Sequence, residues 1–316
     1  MNFGRSVASA GDVNGDGYAD VIVGTAVSSG VAYIFLGSAT GLSPTPATTL
    51  TNATFPLFGY TVAGAGDLNG DGYGDVVVSA LNATLAFVHL GSAGGVSLVA
   101  AATVALPASS FGGWSMSAGD LNADGYSDLV ISGHGLNQVH VGFGGPSVAS
   151  LSALTTINAP VPSSAFGYSV SCAGDVNGDG YADIVAGAVS ANAAYVFQGR
   201  ATGVDPTPSI LSGTPGHNFG YGVAIVGDVS GDGFVDVVVG APSAPTPAAH
   251  LFEGRSSGIS LTPTLTLTGP SASSFGMSVA SLNPEGAIDD LVTSTARSRV
   301  LRCGFRGMTS RLLSPG

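Results

Sequence analysis

Short apolar runs rich in Val, Ile and Ala recur along the 316-residue chain, as in DVIVGT at 20–25, DVVVSA at 75–80, DIVAGA at 183–188 and DVVVGA at 236–241. Gly, Asn, Asp, Ser and Pro bound each run. Apolar residues at the 3.6-residue period of an amphipathic helix are missing, so the pattern predicts strands and turns throughout. The pattern also has a ruler. Phe-Gly pairs begin at Phe3, Phe58, Phe111, Phe166, Phe219 and Phe275, 53 to 56 residues apart, which only a repeat architecture produces.

The order within a period is fixed. Phe-Gly opens a short strand, an Asp-rich loop follows, then a Val/Ile strand, a third strand, a Gly-containing turn and a Thr/Pro/Leu strand. The turn reads GSATGL at 37–42, GSAGGV at 91–96, GRATGV at 199–204 and GRSSGI at 254–259. Looser forms are GFGGPSV at 142–148 and GFRGMT at 304–309. Four strands of five or six residues with their loops account for a period in the fifties. One such sheet cannot bury both faces, so the sheets are expected to stack around an axis. The expectation is an all-β fold: a six-bladed β-propeller of four-stranded antiparallel blades, one domain over 1–316. The blades fall at about 1–56, 57–109, 110–164, 165–217, 218–273 and 274–316. A parent with a seventh blade fits the same repeat. No strand exchange between the first and last blades is expected.

Composition narrows the setting. The chain is 45% hydrophobic with a mean hydropathy of +0.42, yet no apolar run approaches the ~20 residues of a membrane helix. No membrane insertion is therefore expected. The first residues open directly on a repeat and carry no signal peptide, as expected of a piece of a larger parent chain. All eight basic residues are arginine against 20 acidic residues, for a net charge of −12. That disfavours nucleic acid and anionic membrane surfaces, which need a basic face.

The acidity is concentrated. The pattern D-x-N-x-D-G-x-x-D occurs as Asp12, Asn14, Asp16, Asp20; Asp67, Asn69, Asp71, Asp75; Asp120, Asn122, Asp124, Asp128; and Asp175, Asn177, Asp179, Asp183. A fifth copy reads Asp228, Ser230, Asp232, Asp236. Alternate residues of a tight loop turn their oxygens inward. Positions one, three and five thus meet one ion, position seven offers the backbone carbonyl of Tyr18, Tyr73, Tyr126, Tyr181 or Phe234, and the last Asp closes the shell. The glycine at position six permits the sharp turn, and the all-oxygen environment suits calcium. These loops hold 15 of the 20 acidic residues, and about five Ca²⁺ ions are expected. The plainer alternative is a set of metal-free hairpin turns, which Asn-Gly and Asp-Gly also form; a turn does not need three evenly spaced carboxylates. In the sixth repeat, SLNPEGAIDD from Ser281 to Asp290 has lost the first Asp, and no tight site is expected there.

At these residues the chain resembles the FG-GAP repeat family, whose best-known members are the propellers of integrin α chains. Phe-Gly, the acidic loop, Gly240-Ala241-Pro242 and the Tyr-x-Phe strands at Tyr33–Phe35 and Tyr195–Phe197 carry the resemblance. It implies a propeller with calcium in loops joining strands one and two, and ligands met on the opposite face by the four-to-one and two-to-three loops. Integrin α propellers have seven blades, so an integrin partner chain is not implied. The family also includes fungal lectins and accessory domains of secreted bacterial enzymes.

Outside the loops the chemistry is thin. Tyr60, Tyr168 and Tyr221 share one slot after Phe-Gly, with Trp114 one residue later. They are the candidate ligand-binding residues, stacking on sugars or anchoring a protein loop; the plainer and favoured reading is packing between blades. His89, His134, His140, His217 and His250 never recur at zinc-ligand spacing, so no catalytic residues are assigned and no enzyme is expected. Five of the eight arginines, Arg297, Arg299, Arg302, Arg306 and Arg311, gather in the last repeat. Cys172 and Cys303 sit at different points of different repeats and read as separate thiols. The functional expectation is an extracellular or cell-surface calcium-binding module for adhesion or protein interaction. It would act as a monomeric propeller within a larger chain and meet a protein or glycan. A lectin-like propeller and a non-catalytic domain of a secreted enzyme are the alternatives.

Overall fold

The computed structural model describes residues 3–25, 30–55, 57–108, 113–243, 245–271, 273–281, 291–295, 299–303 and 311–312. Among them are six four-stranded antiparallel sheets, each with its strands in chain order. The first is Phe3–Gly11, Asp20–Thr25, Val31–Phe35 and Thr48–Thr51; the second is Phe58–Gly66, Asp75–Ala80, Leu85–His89 and Ala102–Ala105. The third is Met116–Gly119, Asp128–Gly133, Gln138–Gly142 and Thr155–Asn158; the fourth is Phe166–Gly174, Asp183–Ala188, Ala193–Phe197 and Ser209–Ser212. The fifth is Val223–Val226, Asp236–Ala241, Ala248–Phe252 and Leu265–Thr268; the sixth is Ser278–Ser281, Leu291–Thr295, Arg299–Cys303 and Arg311–Leu312. The fold is all-β, of the β-propeller class. The broken loop expected at 282–290, the turn at 304–309, Arg297, Arg306 and the third Phe-Gly at 111–112 lie outside the described residues.

The chain divides into two compact units, Met1–Asp120 with Asp124–Asn158, and Leu121–Ala123 with Ala159–Gly316. In the first unit, Ile22, Ile34 and Leu50 of sheet one pack on Phe58, Val62, Val76 and Val78 of sheet two. Val77, Val88 and Val104 on the other face of sheet two meet Met116, Leu129 and Ile131 of sheet three. In the second unit, Val185, Val196 and Leu211 of sheet four meet Phe219, Val237 and Val239 of sheet five, and Val238 and Leu251 meet Phe275 at sheet six. The second strands are covered on both faces. Every residue of Asp75–Ala80, Asp128–Gly133, Asp183–Ala188 and Asp236–Ala241 is buried, which is why they read as unbroken apolar runs and not as an alternation.

The Phe-Gly ruler has a steric cause. Phe58, Phe166, Phe219 and Phe275 are at most 1% exposed, whereas Phe3 is 58% exposed. The glycine after each buried Phe takes a left-handed backbone, with φ +85° at Gly59, +90° at Gly220 and +83° at Gly276. A Cβ there would collide with the carbonyl of Val31, Ala193 or Ala248 in the preceding sheet. The glycine's own carbonyl presses on a second-strand glycine of that sheet: Gly59 on Gly24, Gly220 on Gly187 and Gly276 on Gly240. At these three junctions the sheets touch backbone to backbone at one end, which glycine on both sides permits; between sheets two and three Ser79 stands in the second-strand position and its side chain faces Gly113. Replacing Gly240 by Ala drives a methyl into the Gly276 carbonyl. The expected loss is about 1–3 kcal/mol, as for overpacking in general, read from urea denaturation; an unchanged midpoint would refute this account of the ruler.

Candidate metal-binding loops

Each acidic loop joins the first strand of a sheet to the second. In the first loop the Asp12 carboxylate lies at the centre, accepting N–H bonds from Gly15 (2.7 Å) and Asp16 (3.1 Å) on Oδ1 and from Gly17 (2.7 Å) on Oδ2. Asp16 Oδ1 accepts the Tyr18 N–H at 3.0 Å, and Asn14 Nδ2 donates to Asp16 Oδ2 at 2.9 Å. The second and fourth loops repeat this network around Asp67 and Asp175, and the fifth around Asp228. In the third loop Asp120 accepts from Asp124 and Gly125, and the Tyr126 N–H donates to Asp124. The position-six glycines Gly17, Gly72, Gly125, Gly180 and Gly233 have φ between +85° and +93°. Position four is also left-handed: Gly15, Gly70, Gly178 and Gly231 lie at +73° to +79°, and Ala123 takes the slot at +55°. The recurring glycine at position four is the sequence signal of this second left-handed requirement.

The last aspartate behaves differently from the others. Asp20, Asp75, Asp128, Asp183 and Asp236 are fully buried. Asp20 Oδ2 accepts the Val13 N–H at 2.9 Å and Oδ1 accepts the Gly37 N–H at 2.7 Å. The same pair of bonds joins Asp75 to Leu68 and Gly91, Asp183 to Val176 and Gly199, and Asp236 to Val229 and Gly254, while Asp128 accepts from Gly144. These glycines open the turn between strands three and four, so one carboxylate ties that turn to the acidic loop.

Burial pushes these carboxyls up, against the pull of their backbone N–H donors. Asp75 and Asp236 rise to about 6 and Asp183 to about 7, with Asp20 also raised. The negative charges at positions one and five add to the rise in each of the four loops. At Asp12 desolvation also acts upward, but the N–H groups of Gly17, Gly15, Asp16 and Asn14 together hold the carboxyl below its usual value. Three carboxylates are thus electrostatically coupled within nine residues. Among the described residues, however, no three His, Cys, Asp or Glu side chains are gathered as a metal site. In the loops the carboxylate oxygens hold backbone N–H groups. The donor set still fits a hard divalent cation: carboxylates, an amide or hydroxyl oxygen and a backbone carbonyl are all oxygen. In the first, second, fourth and fifth loops no arginine pairs with a carboxylate among the described residues, where the salt bridge is Arg200–Asp205 at 3.3 Å.

The other candidate residues pair within units. The rings of Tyr60 and Trp114 lie 5.5 Å apart and those of Tyr168 and Tyr221 4.8 Å apart, all half-buried. Arg5 lies 4.4 Å over the Tyr60 ring and donates to its hydroxyl at 2.8 Å. His89, His140 and His250 each fix Nδ1, on the Ser97 carbonyl or the hydroxyls of Thr156 and Thr266. Burial lowers all three imidazoles. Cys172 is buried in the first strand of sheet four. In the second unit His217 and His250 line a cavity of about 580 Å³ with Phe219, Phe252 and Thr266.

Fold and loops together define a β-propeller whose blades carry an acidic strand-one-to-two loop. The family model described as FG-GAP-like repeat matches residues 12–78, 67–131 and 156–239, and the chain belongs to that family. It is similar to human integrin alpha-6, at 38% identity over 128 residues, covering 37% of this chain and 11% of that protein. Human integrin alpha-7 matches at 36% over 154 residues, covering 44% and 13%, and Drosophila melanogaster integrin alpha-PS5 at 37% over 161 residues, covering 44% and 16%. The chain thus matches only about a tenth to a sixth of the length of these relatives. A crystal structure from Bacteroides fragilis, named as a 6-phosphogluconolactonase, shares the fold with a TM-score of 0.65 over 98% of this chain and 83% of its own, at 11% identity. That finding corrects the expectation that the chain is not an enzyme: the same fold is found under an enzyme's name, so a propeller without a recognisable catalytic motif is no ground for excluding catalysis. At 11% identity the likeness shows the fold alone. No helix among the described residues is long and apolar enough to cross a membrane.

The buried aspartates yield a test that does not involve metal. Asp183→Asn turns one acceptor into a donor facing an N–H, which should cost about 1–3 kcal/mol in excess chelator. Asp179→Asn, at an exposed position, should stay within about 0.5 kcal/mol under the same conditions. Equal urea midpoints for the two variants would contradict the separate role given to the last aspartate.

Proposed function

We propose that this chain is a calcium-binding extracellular propeller module that mediates adhesion or protein interaction, with its ions stabilising the scaffold. The observation that supports the reading most directly is electrostatic. In four loops burial raises the last aspartate, and the charges at positions one and five add to that rise. A divalent cation among these oxygens offsets that repulsion. In the first loop Asp12, Asn14, Asp16, the Tyr18 carbonyl and Asp20 would hold it. The corresponding residues of the other loops are Asp67 to Asp75, Asp120 to Asp128, Asp175 to Asp183 and Asp228 to Asp236, for about five ions in all. The ion supplies positive charge and cross-linking.

Adhesion is inferred from the integrin relatives, and with it an extracellular setting and a protein partner. The half-buried Tyr60, Trp114, Tyr168 and Tyr221, at the Phe-Gly end of their sheets, are the residues offered to that partner.

Calcium-saturated protein should melt about 10 °C above protein in excess chelator, because several sites each add binding free energy to the folded state. Superimposable melts would overturn the calcium reading. For the adhesion reading, cells are expected to attach to a surface coated with the calcium-loaded chain and to release in chelator. No attachment in either condition would sink it.

A further inference from the structure

The acidic loops are not separate from one another within a unit. The aromatic ring at position seven of one loop lies over the position-four glycine of the loop before it. A Cβ on Gly15 would stand 2.7 Å from Tyr73 Cε1, one on Gly70 2.6 Å from Tyr126 Cε1, and one on Gly178 2.9 Å from Phe234 Cε1. Backbone bonds reinforce the contact. The Gly74 N–H, next to Tyr73, donates to the Asp12 carbonyl at 2.8 Å, and the Ser92 N–H donates to the Val13 carbonyl at 3.0 Å. One sheet further on, Ser127 donates to Asp67 at 2.9 Å and Gly145 to Leu68 at 2.9 Å. In the second unit Arg255 donates to Val176 at 3.0 Å.

Tyr73, Tyr126 and Phe234 therefore each belong to two loops. The Tyr73 N–H is held by Asp71 Oδ1 of its own loop at 3.1 Å, and its carbonyl is the backbone oxygen offered there. Its ring closes over the first loop, where Gly15 donates to the central Asp12 carboxylate. Any adjustment that brings the Tyr73 carbonyl toward an ion moves the ring on Gly15 and the neighbouring Gly74 N–H on Asp12. A loop bent for an ion in turn sets the surface on which the next ring rests.

We propose that Tyr73, Tyr126 and Phe234 are positioning residues for the metal loop preceding their own, so that neighbouring loops within a unit bind calcium as coupled and not independent sites. The inference rests on the calcium reading above. It predicts an effect that a loop acting alone cannot produce: removing a side chain from the second loop, with that loop's backbone carbonyl intact, weakens the first.

The test uses the full chain labelled with ¹⁵N-glycine and stripped of metal. The position-six amides report each loop separately, since Gly17 donates to Asp12, Gly72 to Asp67 and Gly180 to Asp175. Calcium is titrated into wild type, Tyr73→Phe and Tyr73→Ala. In Tyr73→Ala the Gly17 midpoint should move to about fivefold higher calcium or more, the lower range of ordinary coupling between sites. Tyr73→Phe should keep the wild-type midpoint, and Gly180, in the other unit, should not move and so reports that the fold is retained. Phe234→Ala should shift Gly180 and leave Gly17 in place, which gives a second reading if Tyr73→Ala fails to fold. Calcium responses with Gly17 indifferent to Tyr73→Ala, or with Gly180 indifferent to Phe234→Ala, would overturn the coupling and leave the calcium reading standing. No response at any loop would overturn both.

Discussion

The structure depends on a carboxylate with no access to water. Asp20 and its counterparts end the acidic loop and begin the second strand, yet their oxygens reach back to the loop's second residue and forward to the glycine that opens the strand-three-to-four turn. Three segments distant in sequence are thereby fixed by one side chain. An isolated buried carboxylate is costly, and here two N–H donors offset part of that cost while the neighbouring aspartates increase it. The sheet is thus built around a charge its own loop makes harder to keep.

Much of this was legible in the sequence. The 53-to-56-residue ruler, the order of strands and the second-strand runs follow from periodicity, and all are found in the sheets. The unequal roles within the acidic loop were not legible, because D-x-N-x-D-G-x-x-D writes the first and last Asp with the same letter. Burial separates them: Asp12 stands in a half-buried turn and Asp20 in a packed strand end. From sequence Tyr73 and Phe234 offer only their carbonyls, since a ring's contact with a glycine in the preceding repeat depends on how sheets stack, and no spacing within one repeat encodes it. Ala123, left-handed where the other loops have glycine, shows the conformational demand of that slot only once φ is known.

Family membership and local geometry speak to different levels of the protein. The FG-GAP-like match accounts for repeat, sheet and loop, while the integrins it resembles are many times longer than the matched part. The shared fold of the Bacteroides fragilis protein makes the same point from the other side, because one scaffold is found under the names of unrelated activities. The side chains add detail that neither comparison carries: half-buried aromatic pairs at the Phe-Gly end and hydrogen-bonded acidic loops at the other.

The backbone contact between sheets has an implication for how such a chain arises. Sheet five shows both features: it presents the Phe-Gly glycine Gly220 to the sheet before it and the second-strand glycine Gly240 to the sheet after it. A duplicated segment of that kind carries both mating surfaces with it, and it joins siblings that bear the same two glycines without compensating change; next to a sheet with Ser79 in that position the join differs. Repeat number can drift while the join stays the same, so selection is free to act on loops and rims one repeat at a time.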